Sequence, residues 1–161
     1  MGKRIIIVGP AAAGKDHLKK RLGEKGYLLD VSYTSRSPRE GEVDGVDYHF
    51  LSIKDFQEKI MRKQFYEYVE HGEDYYGTGM WEWVNCEVFI MESEGVEQIS
   101  PEERKDCLVL YLNPAKDDRF ERLWENGRNW SYEKISNRFE VDDIKFNDFK
   151  DYDIEIKNPD F

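Results

Sequence analysis

The sequence predicts an α/β fold: a five-stranded parallel sheet flanked by helices. Three observations predict it. A β-branched apolar run, Ile5 to Val8, ends at a glycine and leads into G-x-x-x-x-G-K at residues 9–15. A second apolar segment, Tyr27 to Val31, leads into SYTSRSPREGEVDGVDYHF at 32–50, rich in arginine and tyrosine. Further short apolar runs at 87–91, 108–112 and 152–157 alternate with helix-like stretches, as parallel strands with crossover helices do.

Ile5 to Val8 reads as a strand buried on both faces. Gly9 and Gly14 bracket Pro10, Ala11, Ala12 and Ala13, which lets the backbone curl its N–H groups inward onto phosphate oxygens. The positive end of the helix that begins near Lys15 adds to that attraction. Lys15 is read as the cation on the β- and γ-phosphates, and residues 9–16 as the ATP site of a P-loop NTPase fold. Such loops ordinarily end in Ser or Thr, whose hydroxyl ligates Mg²⁺; this one has Asp16. A carboxylate is also a hard oxygen ligand, though it adds negative charge beside the phosphates. Asp16 is therefore the candidate Mg²⁺ ligand, directly or through water, with a metal held elsewhere as the alternative.

The 161 residues suffice for one domain with a real core. No apolar run approaches the length of a membrane span, and the start has no signal-peptide pattern. Cys86 and Cys107 have no metal-ligand spacing and make no disulfide framework, so a reduced, cytoplasmic setting is expected. The net charge of −10 disfavours nucleic acid as a partner, since backbone binding needs a basic face. A nucleotide needs only a local positive pocket, and basic residues do cluster at 36–39, 119–128 and 134–138.

His17 to Lys25 reads as an amphipathic helix ended by Gly26, with His17 an ordinary helix residue. Beyond the second strand, Arg36 and Arg39 flank Ser37-Pro38 in a stretch that Pro38 keeps non-helical. Two guanidinium forks on a rigid loop suit a phosphate monoester, and Tyr48 and Tyr76 offer neutral O–H donors.

At this point the chain resembles the guanylate kinase family. The resemblance is carried by GPAAAGKD at 9–16, the 32–50 stretch and FYEYVEHGEDYYGT at 65–78, and it extends more weakly to Asn158. It implies that Arg36, Arg39, Tyr48 and Tyr76 hold the 5′-phosphate of GMP or dGMP. It implies that Glu67 accepts from guanine N1–H and N2–H₂, with Ser32 and Thr78 at the O6/N7 edge. A carboxylate here selects guanine because adenine lacks the donor pair; the plain alternative for Glu67 is a surface strand carboxylate.

The connection Gly79 to Asn85 looks shorter than the family's helix, and Trp81 and Trp83 are read as packing residues. The next strand ends at Ile90-Met91-Glu92, where the family has two aspartates flanking one residue; only Glu92 matches, as a candidate for guanine or a magnesium-bound water. Asp118 to Glu125, a turn around Gly127-Arg128 and a helix capped by Ser131 match the family's lid. By resemblance Arg122, Arg128 and Arg138 reach the transferring phosphoryl group; the alternative is an exposed charged hairpin. Trp130 at the lid tip is read as packing. Asn158 matches a residue near the donor adenine, and Phe161 falls short of the final helix the resemblance implies.

The expected organisation is a single domain over 1–161: core 1–32, 79–116 and 139–161, acceptor-binding part 33–78 and lid 117–138. The expected reaction is transfer of the ATP γ-phosphoryl group, as the Mg²⁺ complex, to GMP or dGMP. Lys15, Arg36, Arg122, Arg128 and Arg138 are the residues expected to carry it. Two alternatives stand beside it: a ribose bisphosphate kinase-like activity, and a catalytically silent domain of the same fold that binds protein.

Overall fold

The computed structural model describes residues 2–125 and 129–159. Strand β1 (Arg4–Val8) occupies the middle of a parallel sheet ordered β6-β1-β7-β8, where β6 is Val88–Ile90, β7 Cys107–Leu112 and β8 Ile154–Ile156. Ile5 pairs with Val88 on one side and with Leu108 on the other. Ile6 and Val8 pack into one apolar cluster with Phe89, Val109 and Trp83, while Ile7 packs into a second with Leu18 and Leu112. Burial on both faces is what the unbroken β-branched run required.

Four strands form this sheet, and the expected strand at Tyr27–Val31 contributes a single bridge, Leu29 to Val88. The bridge lies at the sheet edge beyond β6. Tyr27 and Leu28 are exposed there, and Leu28 N–H donates to the Glu87 side chain rather than to a ladder partner. That leaves too few paired residues for a strand.

Residues between the bridge and β6 form a second, mixed sheet ordered β3-β2-β5-β4: β2 is Tyr33–Thr34, β3 His49–Phe50, β4 Phe65–His71 and β5 Asp74–Gly79. Helix α2 (Ile53–Met61) begins at Ser52, whose hydroxyl accepts from Asp55 N–H. It buries Phe56 against Phe65 and Tyr75, with ring centroids 4.4 and 5.2 Å apart. The short helix α3 (Met80–Asn85) returns the chain to the core. Trp83 is buried and stacks on Tyr66 at 3.9 Å, as the packing expectation held, whereas Trp81 on the same helix is exposed.

Helix α1 (Lys15–Glu24) follows β1, and two short helices, α4 (Ser93–Glu97) and α5 (Pro101–Arg104), separate β6 from β7. Helices α6 (Lys116–Glu125) and α7 (Tyr132–Phe146) lie between β7 and β8. The Ser131 hydroxyl accepts from Lys134 N–H and starts α7, which continues for 15 residues, so residue 138 falls inside a helix. No helix among the described residues is long and apolar enough to cross a membrane.

Candidate active site

The loop after β1 is shaped by close approach. A Cβ on Gly9 would stand 2.5 Å from the Leu112 carbonyl oxygen, and Gly14 sits at φ +98°, where L side chains are strained. Ala12 also has a positive φ, 59°. Lys15 bends back over this loop and donates to the Gly9 and Pro10 carbonyls at 2.6 and 3.0 Å. Burial lowers its pKa, partly offset by Glu92 and Asp16. The ammonium is thus parked on backbone oxygens at the mouth of the loop, where phosphate oxygens would replace them.

Three side chains of α6 and α7 grip the same loop. Arg119 Nε donates to the Ala11 carbonyl at 2.9 Å, and Arg122 Nη1 donates to the Ala12 carbonyl at 3.0 Å. Asp142 accepts from Ala11 N–H and from Arg119 Nη2, both at 3.0 Å, with Arg138 Nε 3.4 Å from its other oxygen. Arg119 and Asp142 are 3% and 2% exposed, which makes them a buried pair. The charged-hairpin alternative does not describe these contacts. Sequence reading singled out Arg122 and Arg138 and passed over Arg119 and Asp142, because the acid and its arginine lie 23 residues apart.

On the opposite wall, Arg36 pairs with Glu42 through both guanidinium arms and lies 5.5 Å from the Tyr48 ring centroid. Its pKa is raised, chiefly by that Glu42 hydrogen bond. Glu42 also accepts from Arg39 N–H at 2.7 Å, which shapes the Ser37–Gly41 turn. Burial raises the Tyr48 phenol well above its ordinary range, so it is a neutral donor at any physiological pH. The Tyr48 and Tyr76 rings meet edge-on at 6.1 Å. The spacing R-x-x-R-x-x-E carried the signal for Glu42, which sequence reading left out.

Glu67 is 4% exposed. The surface-carboxylate alternative therefore fails: alternation along β4 turns Glu67 inward, where Thr78 Oγ1 donates to it at 2.6 Å. Burial pushes its carboxyl up to about 7, with the Thr78 hydrogen bond pulling the other way. Ser32 lines the same cleft and donates its hydroxyl to Asp30 at 2.6 Å.

Glu92 joins the two walls. Burial pushes its carboxyl up, but Lys15, Lys145, His71 and Arg138 more than reverse this and hold it below the usual range. Lys145 of α7 donates to it at 3.2 Å and also contacts His71 Nδ1 at 2.7 Å. Arg138 touches His71 Nε2, so α7 meets the tip of β4 across the cleft. Burial and Arg138 lower the His71 pKa and favour the neutral ring. Ile90, at the position of the family's other acid, lines the cleft without charge.

Asp16 is exposed and lines the cleft between Lys15 and Tyr48. Among the described residues, no group of three or more acids, cysteines or histidines is arranged to hold a metal ion. Trp130 also lines the cleft, with the Lys134 ammonium 4.4 Å from its ring centroid. Asn158 is exposed beyond β8 and is not among the residues lining the cleft. Arg128 lies outside the described residues.

A family model described as "Guanylate kinase" matches residues 1–161. The chain is similar to curated guanylate kinases from Histophilus somni, 34% identical over 175 positions, and Clostridioides difficile, 32% identical over 167. These alignments cover 99% of this chain, and 82% and 81% of the two relatives. The crystal structure of guanylate kinase from Anaplasma phagocytophilum has the same fold. It matches with TM-score 0.73 at 18% identity, over 99% of this chain and 78% of that one.

Proposed function

The chain belongs to the guanylate kinase family, and we propose that it transfers the ATP γ-phosphoryl group to GMP or dGMP, giving ADP and the nucleoside diphosphate. One observation carries this reading. A single cleft is lined both by Lys15 and Ala11 of the phosphate loop and by Arg36, Arg39, Tyr76 and Arg138. Donor and acceptor phosphates held on those two walls meet in the middle.

Lys15 leaves the Gly9 and Pro10 carbonyls to hold donor phosphates, and N–H groups of the loop close around them. Arg36 and Arg39, with Tyr48 and Tyr76, hold the acceptor phosphate. Glu67 takes guanine N1–H and N2–H₂, and Ser32 and Thr78 face the 6-oxo edge. Glu92 with Lys145 forms the floor between acceptor and loop. No covalent intermediate is needed: the acceptor oxygen attacks phosphorus in line, and alignment does most of the work. Arg122 and Arg138, joined in this proposal by Arg128, neutralise the charge on the moving group. Arginines in that role supply about 10³–10⁵ in rate. Asp16 would hold Mg²⁺ bound to ATP, which would add charge neutralisation at the phosphates. Closure of the 33–78 part and the lid on the core excludes water as a competing acceptor.

A ribose bisphosphate substrate would leave the buried Glu67–Thr78 pair without a partner, and a silent binding domain would have no use for Lys15. The buried, unpaired thiols Cys86 and Cys107 suit the reducing cytoplasm as the working compartment.

The test is a coupled ADP-release assay with Mg-ATP against GMP, dGMP, AMP, dTMP and ribose 1,5-bisphosphate. Turnover is expected with the guanine acceptors and abolished by Lys15→Ala. Turnover with the sugar phosphate alone would overturn the assignment of substrate, and silence with every acceptor would overturn the assignment of activity.

A further inference from the structure

Asp30 is 1% exposed and stands where the edge bridge hands the chain to β2. Its Oδ2 accepts the Ser32 hydroxyl at 2.6 Å, while its Oδ1 is buried with no hydrogen-bond partner. A buried carboxylate oxygen left without a donor is costly, so such a group calls for a proton or a ligand. Its surroundings do not supply one. The Lys19 ammonium of α1 donates to the Asp30 backbone carbonyl, not to its carboxylate. Glu82 of α3, His49 of β3, Tyr33 of β2, Glu67 of β4 and Cys86 after α3 are the other titratable groups around it. Burial pushes the Asp30 carboxyl up to about 6, against the pull of Lys19 and Ser32.

A serine hydroxyl has one hydrogen. Donated to an ionised Asp30, it leaves Ser32 with lone pairs alone to turn towards the cleft. Guanine O6 and N7 are both acceptors, so those lone pairs oppose them. Thr78 offers no substitute, because its own hydrogen goes to Glu67. A proton on Asp30 reverses the arrangement: Asp30 donates to Ser32 Oγ, and the Ser32 hydrogen turns to the base.

We propose that Asp30 is a positioning residue for base recognition: its protonation decides whether the Ser32 hydroxyl donates to guanine O6 or opposes it, so GMP binding takes up a proton at Asp30. The inference rests on the guanine-reading role proposed above for Ser32.

The experiment is the KM for GMP at saturating Mg-ATP, from pH 6 to 8.5, for the wild type, Asp30→Asn, Ser32→Ala and the double variant. An amide can donate to Ser32 at every pH. Asp30→Asn should therefore lower KM at pH 8 about three- to tenfold, the worth of one hydrogen bond, with kcat little changed. The wild type should approach the variant as pH falls to 6. The substrate phosphate and Glu67 also titrate near there; the phosphate does so equally for every variant and Glu67 in both Ser32 backgrounds, so the ratio of KM values in each background is read. In the Ser32→Ala background Asp30→Asn should change nothing. Equal KM values for wild type and Asp30→Asn at all pH, or the same change in both backgrounds, would overturn the inference. Asp30→Ser serves the same comparison if thermal melting shows that Asp30→Asn does not fold. No turnover of GMP by the wild type overturns the proposed function instead, which separates the two failures.

Discussion

Glu42 holds Arg36 by both arms of the guanidinium, Nη1 to Oε1 at 2.8 Å and Nη2 to Oε2 at 3.0 Å. The two side chains are 13% and 18% exposed, so the fork is oriented before any acceptor arrives. A lysine at position 36 keeps the charge and loses the fork. Arg36→Lys should raise the KM for GMP by about tenfold or more, the worth of a charge-assisted bond, and leave the KM for ATP unchanged. Steady-state kinetics with each substrate varied in turn measures both.

Gly95 in α4 lies against the acid proposed to read the base: a Cβ there would stand 2.5 Å from Glu67 Oε2. Gly95→Ala should therefore displace the carboxylate while leaving both sheets intact. The expected result is a fall of about tenfold or more in kcat/KM for GMP, the size of effect a small misplacement at a binding site produces. Unchanged kinetics in a folded variant would show that Glu67 tolerates the shift.

Glu67 should also make the unliganded protein less stable as pH rises. Its folded pKa is raised, to about 7 against the model-compound 4.5, so the neutral form is favoured in the fold. The stability it contributes is complete below pH 4.5 and is lost as pH rises through 7. Glu67→Gln removes that dependence and should be more stable than the wild type at pH 8, by on the order of 3 kcal/mol at most. The two should converge near pH 4.5. Urea unfolding at the two pH values tests the sign.

Asp142 and Arg119 form a buried pair that ties α6, α7 and the phosphate loop together. Asp142→Ala strands the Arg119 guanidinium in the interior and should cost about 3–5 kcal/mol. Replacing both, as Asp142→Leu with Arg119→Met, should cost clearly less, because the buried Arg119 guanidinium is no longer there to be stranded. Urea unfolding of the three proteins decides this, and weaker ATP binding should accompany the single change.

Much of this site is legible in the chain because its parts are local. The phosphate loop is one uninterrupted run, and its glycines declare backbone geometry by themselves. Arg36 and Arg39 fall within four residues around a proline. The alternation of β4 implied that Glu67 and Tyr66 face opposite ways, though not which of the two sides is buried. Asp30, Lys145, Asp142 and Arg119 escaped notice because nothing nearby marks them as more than ordinary charges on polar segments. The second strand was overestimated for a related reason: Tyr27–Val31 has the composition of a strand, but an edge position and a side-chain acceptor for Leu28 N–H reduce it to one bridge.

The sequence by itself determined the fold class, the phosphate loop and the Arg36 and Arg39 pair beside Pro38, since each depends on backbone conformation or on side chains a few positions apart. Tertiary structure decided which acids are buried and which cations face them. Lys145 reaches Glu92 across 53 residues, Asp142 reaches Ala11 across 131, and Thr78 meets Glu67 on a neighbouring strand. Those contacts set whether a carboxyl is charged and where a hydroxyl points its hydrogen. Both depend on desolvation and on partners distant in the chain, which no local stretch of residues encodes.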